Sequence, residues 1–158
     1  ALMLARKADF SRDVELLRPG QPPVRIWTGR AAVVGASCSA DAEQVWLLTV
    51  EQGSRDDGGG AGGVQRLEVV TVRPQDGTSS PFRLQGWMLA AGSGLSFDPV
   101  SQSLLATLSR PGDEQSRAVL ITLAQNGKPT GQTSLARPLL EASWLPSRGR
   151  VGNFSSVF

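Results

Sequence analysis

Short apolar runs, broken at regular intervals by turn residues, fill this chain. The stretch from Gly94 to Arg137 shows the pattern most fully. It opens with an extended segment, Gly94 to Asp98, and turns at Asp98-Pro99-Val100-Ser101. An apolar run from Leu104 to Leu108 follows, then a polar loop and a second apolar run from Ala118 to Leu123. Asn126-Gly127 marks the next turn, and a short strand is expected near Thr133 to Ala136. Runs of this length, bounded by Gly, Pro, Asn and Asp, predict four short strands joined by hairpins.

The rest of the chain reads in the same way. Leu2 to Ala5 is apolar and ends at Arg6-Lys7. Val14 to Arg18 closes on Pro19-Gly20. Val24 to Thr28 alternates apolar and polar residues, as a half-buried strand does. Ala31 to Ala36 is small and compatible with a strand, and Ser39 to Ala42 predicts a turn. Over Ala40 to Val50 a helix capped by Asp41 is an alternative, but β-branched and aromatic content favours a strand over Val45 to Val50. Ser54 to Gly63 carries no apolar anchor and is expected to be a flexible, poorly ordered loop. Val64 to Arg73 predicts a strand ended by Pro74 and turned at Asp76-Gly77. Phe82 to Leu84 predicts a short strand, and Trp87 to Ala91 leads into Gly94. Leu139 to Leu145 predicts another strand, and Val151 to Phe158 a last strand or tail.

Laid over one another, these pieces repeat. VELLRPGQPP from Val14, VVTVRPQDGTSSP from Val69 and LITLAQNGKPTG from Leu120 match as a strand with its turn. LMLARK, VWLLTVE and LLATLSR match as the strand before it. GASCSADAEQ, GLSFDPVSQ and EASWLPSRG match as the first strand with its turn. Taking Ser37, Ser96 and Ser143 as equivalent, the steps are 59 and 47 residues, the longer one containing the Gly-rich insertion. The segment Gly94-Leu95-Ser96-Phe97-Asp98-Pro99, with Leu104 to Leu108 and Asn126-Gly127-Lys128, resembles the NHL-like and SdiA-regulated-like β-propellers, and more loosely the TolB-like repeats. That resemblance implies an all-β protein of about three four-stranded propeller-like blades. It implies one domain over residues 1–158 with repeats 1–30, 31–90 and 91–138, and with 139–158 starting a further blade. A closed propeller has four to eight blades. Three blades leave open sheet edges, so the chain is expected to be a fragment of a longer propeller, half of a ring closed by two copies, or a subunit capped by a partner. The alternative is a sandwich or open barrel of about a dozen strands.

Composition adds little to this picture and removes some chemistry. At 158 residues, 40% hydrophobic and 19% charged, the chain is ordinary for a globular protein. Its net charge is only +2. The pI of about 9.3 reflects the absence of groups titrating near neutrality, since the chain has no His and one Cys. No basic run with interleaved aromatics suggests nucleic-acid binding, and no apolar run is long enough for a membrane span. Cys38 alone forms no internal disulfide, so the compartment stays open.

Without His, neither a Ser-His-Asp triad nor a Cys38-His pair is available. The lysines Lys7 and Lys128 are the only bases for a Ser-Lys pair, and Lys128 falls in an exposed turn. Asp56-Asp57 precede a glycine run but lack the spacing of a calcium loop. Some of the propeller hydrolases that the chain resembles hold calcium with acidic residues around the central channel; the first strands here offer no matching Glu, the comparable positions being Ala36 and Leu95. Asp113-Glu114 are neighbouring loop carboxylates expected to stay ionised. GGGAGG lacks the Lys-Ser/Thr and helix of a phosphate loop. Of Trp27, Trp46, Trp87 and Trp144, most are expected in the core, while an exposed one would mark a binding hot spot. Arg18, Arg25, Arg66, Arg73, Arg83, Arg110, Arg137, Arg148 and Arg150 spread over strands and turns as a solvated face. No catalytic, cofactor-binding or metal-ligating residue is therefore assigned, and no cofactor is expected. The reading is a non-enzymatic, protein-binding or structural subunit that meets a protein partner or itself through open sheet edges. Its competitors are part of a metal-dependent lactonase- or phosphoesterase-like propeller and a carbohydrate- or peptide-binding module.

Overall fold

The computed structural model describes residues 2–6, 12–52, 65–113, 115–138, 142–144 and 151–153, and side chains over 12–51, 65–113 and 115–135. Every regular element among them is a strand. A first sheet is the meander β1 (Leu2–Arg6), β2 (Arg12–Leu16) and β3 (Val24–Gly29). A second is β4 (Ala32–Cys38), β5 (Val45–Gln52), β6 (Gln65–Arg73) and β7 (Thr78–Arg83). The third contains β8 (Met88–Leu89), β9 (Leu95–Asp98), β10 (Ser103–Ser109), β11 (Arg117–Leu123) and β12 (Pro129–Pro138). In it, β8 and β9 share one edge of β10, against Leu108–Ser109 and Ser103–Ala106 respectively. β13 (Ala142–Trp144) and β14 (Val151–Asn153) form a last antiparallel pair. The chain is thus all-β, in several antiparallel sheets.

Among the described residues the expected strands overlap these elements, with Val14–Arg18 running two residues past β2, Phe82–Leu84 one past β7, and Ala31 and Gly94 lying one before β4 and β9; two further differences stand out. Some are longer than their apolar content suggested. β7 begins at Thr78 rather than Phe82, and β12 spans Pro129–Pro138 rather than its centre alone. Both are polar outer strands whose backbone is set by the ladder of a more apolar neighbour, β6 or β11. The helix considered over Ala40 to Val50 does not form. Asp41 accepts the Glu43 amide at 3.0 Å inside a tight turn, and Val45 enters a strand paired on both sides, by β4 and β6. Two paired neighbours satisfy the extended backbone that a helix would have satisfied internally. The loop expected at Ser54 to Gly63 lies outside the described residues, as do parts of the two final segments.

Sheet packing follows from which strands are apolar on both faces. In β5, every residue from Val45 to Val50 is buried. Alternate side chains face opposite ways. Trp46, Leu48 and Val50 therefore join Leu67, Val69, Leu104 and Ile121 in a core shared with the third sheet. Val45 and Leu47 join Val14, Leu16, Ile26, Val70 and Val72 in a core shared with the first. The second sheet is the filling between its neighbours, with each fully buried Leu or Val contributing about 1.5–3 kcal/mol.

The first strands approach closely. β9 lies against β4, and the Phe97 amide donates to Ser37 Oγ at 3.1 Å. A Cβ on Gly35 would come within 2.9 Å of the Leu95 backbone nitrogen, so only glycine permits this contact.

Candidate functional site

Strand direction gives the sheets two distinct ends. The turns after β4, β6, β9 and β11 gather at one of them. There Trp46 Nε1 donates to the Gly127 carbonyl at 2.8 Å, and Gln44 Nε2 donates to the Asn126 carbonyl at 3.0 Å. Trp46 also stacks on Phe97, with ring centroids 4.5 Å apart and planes tilted by 31°. The Asn126-Gly127 turn of the third sheet is thereby held by side chains of the second. Gly127 has φ 75°, and a Cβ there would collide with the Gln44 side chain.

Aspartates shape the turns at this end. Asp98 is buried and accepts the amides of Val100 at 3.1 Å and Ser101 at 3.0 Å. Burial pushes its carboxyl up, but the bonds from Ser101 and Val100 outweigh this and hold it below the usual carboxylate range. Asp41 is lowered by bonds from Ser39 and the Glu43 amide, and Asp76 by bonds from the Thr78 side chain and amide. These carboxylates are structural acceptors.

At the other end the described residues leave a cleft of about 480 Å³ between the first and second sheets and β8, lined by Arg12, Arg30, Ala32, Val50, Glu51, Gln65 and Leu89. Each comes from an element terminus. Arg12 starts β2 opposite Gly29, and Arg30 follows Gly29. Ala32 and Val50 are register partners in β4 and β5, as are Gln52 and Gln65 in β5 and β6. Two polar side chains are held in place by the backbone. Arg12 Nη1 donates to the Arg30 carbonyl at 2.9 Å, and Gln65 Oε1 accepts the Leu89 amide at 3.2 Å. Among the described residues, the Gln65 Nε2 donors and the remaining Arg12 donors meet no hydrogen-bond acceptor. Among the described residues, neither Arg30 nor Glu51 forms an ion pair. A smaller hollow of about 200 Å³ shares Arg30 and Glu51 and reaches Trp27, Ser79 and Pro81.

The residues weighed from the sequence lie elsewhere. Lys128 is exposed in the Asn126-Gly127 turn, and Cys38 is an exposed free thiol at the end of β4. Asp113 is bound by Arg117 at 2.8 and 3.1 Å, which holds its carboxyl below the usual range. Glu114, Lys7, Asp56 and Asp57 lie outside the described residues. Among those described, no group of three or more Cys, Asp or Glu could hold a metal ion, and no helix is long and apolar enough to cross a membrane. Trp46 and Trp87 are buried, and Arg110 stacks over Trp87 at 5.1 Å. Trp27 is half-buried, and the side chain of Trp144 lies outside the described residues.

Arg12, Arg30, Glu51 and Gln65 carried no local signal. They come from four segments that only sheet register unites, and no spacing rule connects them. The one available hint was position, since each flanks a strand boundary. Searches against protein-family models, curated proteins and solved structures give no match for this chain.

Proposed function

We propose that this chain is a propeller-type, non-enzymatic binding and structural module, whose sheets are successive blades presenting a rigid surface within a larger assembly. The observation that carries this reading is a pairing span. Ser37 pairs with Trp46, Ser96 with Leu105, and Ser143 with Gly152, nine positions on in each case. Three hairpins of one span, leading strands that pack side by side, are what a repeated blade would give. Face-to-face burial of the second sheet between its neighbours supports the same reading. A role in association is supported by β1. Among the described residues it pairs only with β2, whereas the matching strand β5 has a neighbour on each side. Such an edge accepts a further strand.

Binding is favoured over catalysis by the contents of the cleft. Its guanidinium groups offer planar forks of N–H donors, which suit holding an anion in place. Light scattering after gel filtration tests the assembly. A stable particle of twice the 16.7 kDa chain mass supports a ring completed by two copies. A well-folded monomer at all concentrations overturns obligatory association.

A further inference from the structure

We propose that the cleft between the first and second sheets and β8 binds a monocarboxylate that carries an apolar group beside it, the chemistry of a peptide C-terminus or a free aliphatic acid. The inference deepens the binding role and rests on it. Three features of the cleft carry it. Among the described residues its ionic lining is Arg12, Arg30 and Glu51, a net charge of +1 that one carboxylate neutralises. Its donors are suited to that group. A guanidinium grips a carboxylate through two parallel N–H bonds, and Arg12 is steadied for this by its bond to the Arg30 carbonyl. Gln65, anchored through Oε1 on the Leu89 amide, adds amide donors. Finally, Ala32, Val50 and Leu89 supply an apolar wall, and about 480 Å³ lies within the range of small-ligand pockets. Glu51 accepts an N–H, which a C-terminal peptide offers and an aliphatic acid does not.

The test uses the full 158-residue chain, ¹⁵N-labelled, in amide NMR titrations with three probes. These are N-acetyl-Ala-Leu with a free carboxylate, the same dipeptide as its C-terminal amide, and hexanoate. The acid is expected to give saturable shifts at Ala32, Val50 and Leu89. Arg30→Ala should weaken it by about tenfold or more, the loss of a charged hydrogen-bond partner. Because Arg30 is exposed, the variant should keep the wild-type spectrum elsewhere. Arg30→Lys, which keeps the charge and loses the planar fork, should recover only part of the affinity. Tighter binding of the dipeptide than of hexanoate identifies a peptide C-terminus, and the reverse identifies an aliphatic acid; either supports the proposal. Equal binding of the acid and the amide overturns the anion chemistry while leaving a binding cleft. Saturation by none of the probes overturns the cleft as a binding site for this class, and the association experiment is unaffected by that result.

Discussion

The two ends of these sheets are built from the same strands and do opposite things with them. At one end, Trp46, Gln44 and the Asn126-Gly127 turn tie neighbouring sheets together through hydrogen bonds to backbone carbonyls. At the other, Arg12, Arg30 and Glu51 line a cleft that separates the sheets. Among the described residues, the first end spends these polar groups internally, and the cleft keeps some for solvent or a ligand. Buried, satisfied polar contacts are costly to disrupt, whereas exposed charges contribute little to stability. Stability should therefore be sensitive at one end and indifferent at the other.

The largest effect is expected at Trp46. Trp46→Ala removes a side chain that is 1% exposed, its stacking on Phe97 and its bond to Gly127. A loss of about 3–5 kcal/mol should appear in urea denaturation. Trp46→Phe keeps a ring but leaves the Gly127 carbonyl unpaired, so about 1–3 kcal/mol is expected. Near-equal stability of Trp46→Phe and wild type would show that the hydrogen bond does not hold the junction.

Next comes Gly127→Ala, which adds a Cβ at φ 75° and against Gln44. It should cost about 1–2 kcal/mol, mostly from the left-handed backbone. Adding Gln44→Ala should relieve the collision and recover part of the loss. No recovery in the double variant would assign the whole cost to backbone strain.

A smaller effect concerns acid. Asp98 has a folded pKa below its unfolded value of about 3.9. Its stabilisation is fully present above the unfolded value and is lost as pH falls through the folded one. Denaturation midpoints should drop between about pH 5 and pH 2, and Asp98→Asn should flatten that drop. Asp41 and Asp76, lowered for similar reasons at the same end, add to the slope. An unchanged profile in Asp98→Asn would assign the acid sensitivity to the other lowered carboxylates, Asp41, Asp76 and Asp113.

The smallest effect belongs to the cleft. Arg30→Ala should change stability by no more than about 0.5 kcal/mol in either direction. A loss above 1 kcal/mol would mean that the cleft is braced by its charges.

Much of the strand content, and the turns that bound it, is legible in the sequence. Asp76-Gly77 and Asn126-Gly127 announce hairpins because glycine alone takes the required backbone without strain, and Gly77 and Gly127 do so. The run Val45 to Val50 is apolar on both faces, and it is the strand packed on both sides. β4 was harder to see, because Ala32–Cys38 is mostly small and half-exposed and owes its conformation to β5 and β9. The polar strands β7 and β12 were seen only in part for the same reason. The cleft was invisible. Arg12 and Arg30 stand eighteen positions apart and meet through the β2–β3 hairpin, while Glu51 and Gln65 come together across the β5–β6 register. No local pattern encodes a meeting set by tertiary register.

The indole that ties the second sheet to the third also has an optical consequence. The chain holds four Trp and no Tyr, so its ultraviolet emission comes from indoles alone. Trp46 is shielded from water and hydrogen-bonded to a carbonyl, while Trp27 is half-buried between the first and second sheets. The two should emit at different wavelengths, and a soluble quencher such as iodide should reach Trp27 and spare Trp46. Separation of those sheets would then register as a red shift and a new susceptibility to quenching, giving each sheet junction its own intrinsic dye.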